Sequence, residues 1–587
     1  YNYDLINQKK YTIDEILQAK GITKKEANQK IKEEIKKDVF KILKDVDIDS
    51  IIIEKPKDKT KGDYAIPCFT FSKVLRKSPI EIANYIKDNL DQKKYEKVEV
   101  VNGYLNIFVQ KKVIVSYILN KIMTELNNYG SNNIGDSKNI VIEYSSPNIA
   151  KPFGIGHLRS TVIGEALKNI YEKNGYKVYS LDFLGDYGTQ FGKVLYAYIT
   201  WGDEEKVKQN PTKELKDLYV KFHEEAKLNP KLDEQGRIWF RKLENNDPEA
   251  LKLWNWFKEE SLKDFKKTYK ILGISDFDEY NGEAYYKEKA YDVIEMLKKK
   301  NLLEVSEGAN VVNIGDDIVP ALIQKSDGTS IYITRDLAAY IDRLEKYKFD
   351  EILYVVGNEQ TLHFEQLKRV LSKMGYDSNK LKHISFGLML QNGKKMSTRG
   401  GTGLNLQDLL DSSISLANKY IEEKNPTLKD KEEVSKKIGV GAVIFNDLKN
   451  YRVNDIDFNL EETLSFTGNT GPYIQYTNAR INSLLEHYKE NDINYDEIDI
   501  NDTIWNVIFD LYEFPEVVVK SKDNYDPSEI AKYLLNLSSD FNKMYANVKI
   551  IDDNNNKTNF NLALSKCVGV VLTEGMRLLG IKMPNKM

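Results

Sequence analysis

Only two cysteines occur in 587 residues, Cys68 and Cys567, far apart and without His or Cys neighbours at metal-ligand spacing. A disulfide framework and a zinc site are both unsupported, and the two thiols read as reduced structural residues. Long apolar runs are missing too: nothing approaches the roughly 18 consecutive apolar residues of a membrane helix. No membrane partner is expected. Charge of one sign is not in excess, since 86 Lys and Arg stand against 89 Asp and Glu, a net charge of −3. That balance decides nothing about nucleic acid, because phosphate binding depends on where basic residues cluster. The opening "YNYDLINQKKYTIDEI" lacks both the apolar core of a signal peptide and the Arg- and Ser-rich character of a transit peptide. The expected compartment is therefore the cytoplasm. The first residue is not Met, which points to a trimmed start.

What is present is length enough for several domains, roughly three or four at about 150 residues each, and the patterns of a multidomain α/β chain. Residues 1–130 join Lys-rich helical segments such as "TKKEANQKIKEEIKKDVFKIL" to the alternating "VEVVNGYLNIFVQ". Apolar spacing of three and four marks helix and alternation marks strand, so this is an N-terminal α+β module. From 137 to 405 strand, glycine-bearing loop and helix alternate, the pattern of a Rossmann-like parallel sheet. It is interrupted near 200–300 by a charged helical insertion, whose Trp239, Trp254 and Trp256 read as packing anchors. Parallel-sheet patterns resume at "VVNIGDDIVPALIQ", "EILYVVG" and "ISFGLMLQ". From 406 to 587 helical periodicity dominates, broken at "FTGNTGPYIQY" and "EFPEVV", which gives an all-helical C-terminal bundle.

The chemistry concentrates in two loops. "SSPNIAKPFGIGHLRSTVIGEAL", residues 145–167, follows the strand-like "NIVIEY". It runs into a helix whose Leu158, Val162, Ile163, Ala166, Leu167, Ile170 and Tyr171 share one face, ending at Asn174 and Gly175. Pro147, Pro152, Gly154 and Gly156 forbid a long regular element ahead of His157, so this is a tight strand-to-helix turn. Backbone amides at a helix start hold phosphate, and glycines let a ligand approach without a Cβ. The spacing fits neither G-x-G-x-x-G nor a P-loop. The second loop, "NGKKMSTRGGTG", residues 392–403, sets Lys394, Lys395, Ser397, Thr398 and Arg399 among glycines. Such cations and hydroxyls can close on a polyphosphate and neutralise a departing pyrophosphate. Either loop alone is equally an ordinary glycine turn or a solvated basic turn.

In this order the two loops resemble the paired signatures of class I aminoacyl-tRNA synthetases, whose family forms read HIGH and KMSKS. "SSPNIAKPF", "GHLRST", "LGDYGTQFG", "KSDGTSIYITRDLA", "GNTGPYIQY" and "LLGIKMPNKM" narrow the resemblance to the arginyl-tRNA synthetases. "KGDYAIP" and "GYLNIFV" extend it through the first module. The resemblance implies ATP-dependent ligation of L-arginine to its tRNA through an arginyl-adenylate. ATP would enter with Mg2+, without a protein-held metal site, and the assembly would be a monomer or homodimer. A synthetase-like RNA-binding protein without catalysis is the alternative that Gly154 raises.

Residue by residue, the resemblance implies that Ser146, Pro147, Asn148 and Gln360 hold the amino and carboxylate ends of arginine. Tyr332 and Asp336 would face its guanidinium, with Glu283, and less directly Glu143, as further acids. A guanidinium is permanently charged and presents a planar fork of donors, so a carboxylate beside a phenol suits it; Asp336 could otherwise pair with neighbouring Arg335. His157 would sit against ATP and the arginine carboxylate. Gly154, Gly156, Lys395, Met396 and Ser397 would line the ATP, and Gly185, Asp186 and Gln190 would shape the pocket floor. His363 would serve the nucleotide or cap its helix.

Two positions depart from the family pattern. Many members have histidine where this chain has Gly154, and Thr398 replaces the second lysine of KMSKS. Arginine enzymes often use a lysine just ahead of the first signature instead, here Lys151, which makes Lys151, His157 and Lys395 the implied catalytic residues. Toward tRNA, Asn469, Tyr473, Gln475, Tyr476 and Arg480 lie in a turn-to-helix setting, where tyrosines stack on unpaired bases and arginine holds phosphate. A bundle core would account equally for the tyrosines. The resemblance adds Met587 at the anticodon loop, and Lys61, Asp63 and Tyr64 at the outer corner of the tRNA.

Overall fold

The computed structural model describes residues 24–587 except positions 55, 57–60, 93–94, 110, 327, 329, 392, 396–404 and 487; the side chains of 24–31, 34, 111, 113 and 395 are also outside the description. The chain divides into two compact units. One comprises Tyr1–Gly130, Ile481–Val517 and Asn536–Leu572, the other Ser131–Arg480, Val518–Leu535 and Thr573–Met587.

In the first unit β1 (Tyr64–Pro67), β2 (Lys97–Val101) and β3 (Tyr104–Phe108) form an antiparallel sheet in the order β1-β3-β2. Asn102 and Gly103, at φ 49 and 82°, supply the two-residue turn that suits the twist of a hairpin. The helix Pro79–Asn89 starts with a capping box between Ser78 and Glu81 and buries Ile82, Ala83 and Ile86. The α+β character read from the sequence is therefore present. The helix Asp502–Asp523 runs straight through Pro515, where "EFPEVV" had been read as a break. An interior proline costs about 3 kcal/mol. The same helix buries Val507, Ile508, Leu511 and Phe514 completely, and at about 1.5–3 kcal/mol each that burial outweighs the break.

The second unit is built on four parallel strands, β4 (Asn139–Glu143), β5 (Lys177–Leu181), β6 (Glu351–Gly357) and β7 (Leu381–Phe386), in the order β7-β6-β4-β5. Central β4 buries Ile140, Val141 and Ile142 in succession because both its faces are covered. Helix α1 (Ile155–Lys173) connects β4 to β5. The helical insertion ends in α2 (Pro248–Leu272), α3 (Tyr332–Tyr347) precedes β6, and α4 (Thr361–Met374) joins β6 to β7. The chain leaves β4 for β5 on one side while β6 lies on the other. The crevice at the carboxyl ends of β4 and β6 is thus a topological switch point, where open α/β sheets bind ligands.

Two features differ from the sequence reading. The segment around "VVNIGDDIVPALIQ" forms not a parallel strand but a small antiparallel sheet of Glu304–Ser306, Ala309–Val312 and Ala321–Gln324. Its tight turn at Glu307 and Gly308, φ 49 and 81°, leaves no room for the long crossover a parallel pair needs. Helix α1 was expected to bury one face, yet Arg159, Glu165 and Lys173 are buried as well. Further layers cover the polar side, where Arg159 and Lys173 meet carboxylates and Glu165 is held by neutral hydroxyls. Arg159 Nε lies 3.1 Å from Asp447, Lys173 lies 2.9 Å from Glu574, and Glu165 accepts the Tyr144 hydroxyl at 2.7 Å. Beyond residue 405 the unit is helical, including α5 (Lys431–Leu448) and α6 (Gly471–Leu485), apart from Ile456–Asp457, which pairs with Met389–Gln391. No described helix is long and apolar enough to cross a membrane.

Candidate active site

At the carboxyl end of β4 the chain turns through Ser145 and Ser146, φ 71 and 53°. Left-handed backbone at a residue with a Cβ costs of order 1–3 kcal/mol, so something must hold it. The Ser145 amide donates to Ser160 Oγ at 3.0 Å and the Ser146 amide to Asp182 Oδ1 at 3.1 Å. Asp182 Oδ2 accepts the Tyr269 hydroxyl at 2.7 Å, and that hydroxyl lies 2.7 Å from Ser145 Oγ. Asp182 is fully buried, and burial pushes its carboxyl up to about 7 against the pull of the Tyr269 and Ser146 hydrogen bonds. Next along the loop, the Ile149 amide donates to the Gly185 carbonyl at 3.1 Å and the Gly185 amide to the Pro147 carbonyl at 3.0 Å. A Cβ on Gly185 would fall 2.0 Å from Asn148 Oδ1. Asn148 keeps its place because position 185 has no side chain.

Gly154 caps α1, and at Gly156 an added Cβ would meet nothing within 4 Å among the described residues. His157 follows, with its ring edge on Phe153 at 5.5 Å. Its Nδ1 is buried and has no hydrogen-bond partner among the described residues. Burial, the largest influence, holds this imidazole down to about 4, so the ring is neutral at neutral pH. A buried unpaired ring nitrogen costs about 1–3 kcal/mol, which a bound group could recover. Lys151 is exposed, its ammonium 5.9 Å from the Tyr219 ring centre. Of the second loop, the backbones of Lys394 and Lys395 pair antiparallel with Met389–Gln391, just beyond β7. The side chain of Lys395, and Met396, Ser397, Thr398 and Arg399 entirely, lie outside the described residues.

Beside the crevice stand three carboxylates. Asp336 on α3 meets His363 on α4, Oδ2 to Nε2 at 2.6 Å, with side chains 14% and 13% exposed, and the Tyr332 ring lies 4.7 Å from that imidazole. Glu143, the last residue of β4, is bonded to Arg343 of α3. Glu283 lies 3.1 Å from Arg335. Burial is the main influence raising the Glu143 and Glu283 carboxyls, Glu283 to about 7, with the two arginines opposing; the charge of Asp336 adds to both. The three acids therefore share one electrostatic neighbourhood. An arginine does not surrender its proton, so the charges of Glu143 and Glu283 are already matched within the protein. Asp336 meets a histidine instead of an arginine, so among the described residues it has no permanently charged partner. Arg335, the alternative partner for Asp336 in the sequence, pairs with Glu283.

Gln360 closes the turn Asn358–Gln360 at the end of β6. Asp186 is buried and engaged by its surroundings, accepting Lys258 Nζ at 2.8 Å and the Ala284 amide at 2.9 Å, while its carbonyl accepts the Trp254 indole at 2.9 Å. Gln190 donates to the Tyr187 carbonyl at 3.2 Å.

The residues singled out toward RNA separate by burial. On α6 Tyr476 is 43% exposed with the Arg480 guanidinium 5.1 Å from its ring centre, and Tyr473 is half-buried. Gln475 is fully buried, donating to the carbonyls of Lys437 and Lys582 at 3.1 and 3.0 Å, which ties α6 to α5. Asn469 is exposed in the preceding turn, its carbonyl accepting Lys449 Nζ at 3.1 Å. Met587 packs on a cluster that includes Ala417, Ile421 and Ile438. In the other unit Lys61 is exposed, Asp63 accepts the Val109 amide at 2.9 Å, and Tyr64 is 3% exposed in the core. Gln475 and Tyr64 are packing residues here and set the surfaces that carry Tyr476 and Lys61. Sequence reasoning gave no role to Ser145 and Thr161, although both lie inside quoted motifs, and missed Asp182, Tyr269 and Arg343, which lie outside them and meet their partners only through the fold.

Three family profiles match the chain: "tRNA synthetases class I (R), catalytic domain" over residues 118–460, "DALR anticodon binding domain" over 474–587 and "Arginyl tRNA synthetase N terminal domain" over 27–109. The arginine-tRNA ligase of Ligilactobacillus salivarius is 51% identical over 538 residues, 91% of this chain and 95% of that protein. That of Lactobacillus johnsonii is 49% identical, covering 92% and 96%. Among solved structures, Plasmodium falciparum arginyl-tRNA synthetase superposes with a TM-score of 0.72 at 27% identity over 95% of this chain and 99% of that one. Thermus thermophilus arginyl-tRNA synthetase shares the fold, TM-score 0.73 at 23% identity over 94% and 100%. A switch-point crevice behind the first signature loop is thus accompanied by likeness along nearly the whole chain, and the protein belongs to the arginyl-tRNA synthetase family of class I.

Proposed function

We propose that the protein ligates L-arginine to its tRNA in two steps at the carboxyl ends of β4 and β6. An arginine carboxylate oxygen attacks the α-phosphorus of ATP, the bond from that phosphorus to the bridging oxygen breaks, and pyrophosphate leaves. A ribose hydroxyl at the tRNA 3′ end then attacks the activated carbonyl carbon and releases AMP. ATP enters as its magnesium complex, the metal sharing in neutralising phosphate charge. No side chain forms a covalent intermediate, since positioning and charge stabilisation supply the acceleration.

Within this scheme Ser146, Asn148 and Gln360 hold the amino and carboxylate ends of arginine, and Asp336 with Tyr332 holds its guanidinium. Glu143 and Glu283, matched by Arg343 and Arg335, set the local potential rather than compete for the substrate. His157 faces the phosphates as a neutral ring, its unpartnered Nδ1 available to a ligand group. Lys151 and Lys395 stabilise the departing pyrophosphate, with Gly154, Gly156, Met396 and Ser397 lining the nucleotide. Tyr473, Tyr476, Arg480, Asn469 and Met587 serve the anticodon loop, and the 27–109 module around Lys61 serves the outer corner of the tRNA. The enzyme acts in the cytoplasm as a monomer or homodimer. The observation that carries this reading is Asp336, a carboxylate at a switch point that meets His363 and, among the described residues, pairs with no arginine. The test is incorporation of labelled arginine into tRNA with ATP and magnesium. Charging by arginine and not by lysine or glutamine is expected, and a folded sample that charges none contradicts the proposal.

A further inference from the structure

The helical insertion touches the amino-acid loop through one hydroxyl. Tyr269 of α2 stands 124 residues beyond Ser145 in the chain. Its ring is seated edge-on against Phe153 at 5.7 Å and beside Phe277 at 5.3 Å, which fixes where the hydroxyl points. Tyr269 donates its one hydroxyl proton to Asp182, so in the Ser145–Tyr269 contact Ser145 donates and the Tyr269 oxygen accepts. Ser145 Oγ in turn accepts from Thr161 Oγ1 at 2.9 Å, a donor shared with the His157 carbonyl at 2.6 Å. From Ser145 through Tyr269 the row runs to Asp182, the single Thr161 proton is divided between Ser145 and the His157 carbonyl, and the Ser146 amide reaches the carboxylate's other oxygen. Hydrogen bonds in such a chain polarise one another. The chain joins four elements: the loop after β4, the first turns of α1 beneath His157, the end of β5 and the insertion.

We propose that Tyr269 is a positioning residue for the amino acid: through Ser145 and Asp182 its hydroxyl holds Ser145 and Ser146 in the left-handed turn that presents Ser146 and Asn148 to arginine. The inference rests on the arginine-site reading above. It gives the insertion a part in substrate binding that none of the signature motifs carries. Phe277 and Phe153 would pack against a phenylalanine equally well, so only the hydroxyl is at issue in a Tyr269→Phe variant.

The test is steady-state charging by the full chain, with arginine and ATP varied separately. Losing a hydrogen bond to a charged group predicts that Tyr269→Phe raises the arginine KM by about five-fold or more, with the ATP KM within about two-fold of the unaltered protein. Ser145→Ala, on the other side of the hydroxyl, should do the same, and the double variant should be no worse than the poorer single one. Asp182→Asn can still accept the Ser146 amide and donate to Tyr269, whose proton then turns to Ser145, so it should keep a lower arginine KM than Asp182→Ala. If Asp182→Ala fails to fold, Tyr269→Phe and Ser145→Ala carry the test alone. An arginine KM within two-fold in Tyr269→Phe, equal rises for arginine and ATP, or additive losses in the double variant would overturn the proposal. Unaltered protein that charges no arginine would instead overturn the function itself.

Discussion

Replacing Asp336 by asparagine keeps the size of the side chain and removes its charge. The side chain is 14% exposed, lying against His363 with Tyr332 beyond, so a bound guanidinium would be largely desolvated there. Removing one partner of such a pair costs about 2–5 kcal/mol or more. Asparagine retains an acceptor, which places the loss near about 2–3.5 kcal/mol, or roughly 30- to 400-fold in affinity. Neighbouring acids cannot make up the deficit, because Glu143 is bonded to Arg343 and Glu283 to Arg335. The arginine KM of Asp336→Asn should therefore rise by about that factor while the ATP KM stays within about three-fold. Aminoacylation rates over a wide arginine range, repeated over a range of ATP, separate the two. A rise below about five-fold, or parallel changes in both constants, would refute the assignment of Asp336 to the guanidinium.

Three further outcomes follow from the same geometry. Gly185→Ala would place a methyl 2.0 Å from Asn148 Oδ1; the displaced loop should cost about 1–3 kcal/mol of stability by urea unfolding and raise the arginine KM about ten-fold. Lys151→Ala should lower kcat by about 10²–10³-fold with the tRNA Kd unchanged, measured by pyrophosphate release and by tRNA titration. The third concerns pH. Asp182 is raised from 3.8 to about 7 in the folded protein, so between those values the folded state holds a proton the unfolded state has lost, and stability falls as pH rises. Three units correspond to about 4 kcal/mol, fully expressed above pH 7 and absent below pH 4. The stability advantage of Asp182→Asn over the unaltered protein should widen between pH 5 and pH 8, and a gap that narrows would contradict the burial of an ionised Asp182.

Local order was legible where it depends on neighbours in the chain. The apolar spacing from Leu158 to Tyr171 found α1, and the strand "NIVIEY" with its turn residues found the loop before His157, although the helix begins two residues earlier, at Ile155. Pairings across long stretches of chain left no spacing to read. Arg343 meets Glu143 from 200 residues away and Arg159 meets Asp447 from 288, so the sequence offered Glu143 and Glu283 beside Asp336 as further acids without showing that both are paired with arginines. Asp182 and Tyr269, 87 residues apart, carry no motif, and their pairing appears only once α2 packs on the end of β5. The proline at 515 misled because its local penalty is plain in sequence while the burial that outweighs it is not. Between Ala309 and Gln324 strand pattern was visible but direction was not, since pairing direction depends on turn geometry at Glu307 and Gly308.

The most direct measurement of the central claim is a crystal structure of the protein with arginine or a non-hydrolysable arginyl-adenylate. The guanidinium is expected within about 3 Å of the Asp336 carboxylate, beside Tyr332, with the amino end at Ser146 and Asn148 and with the Glu143–Arg343 and Glu283–Arg335 pairs intact. A guanidinium seated on Glu143 or Glu283, with its resident arginine displaced and Asp336 still on His363, would contradict it.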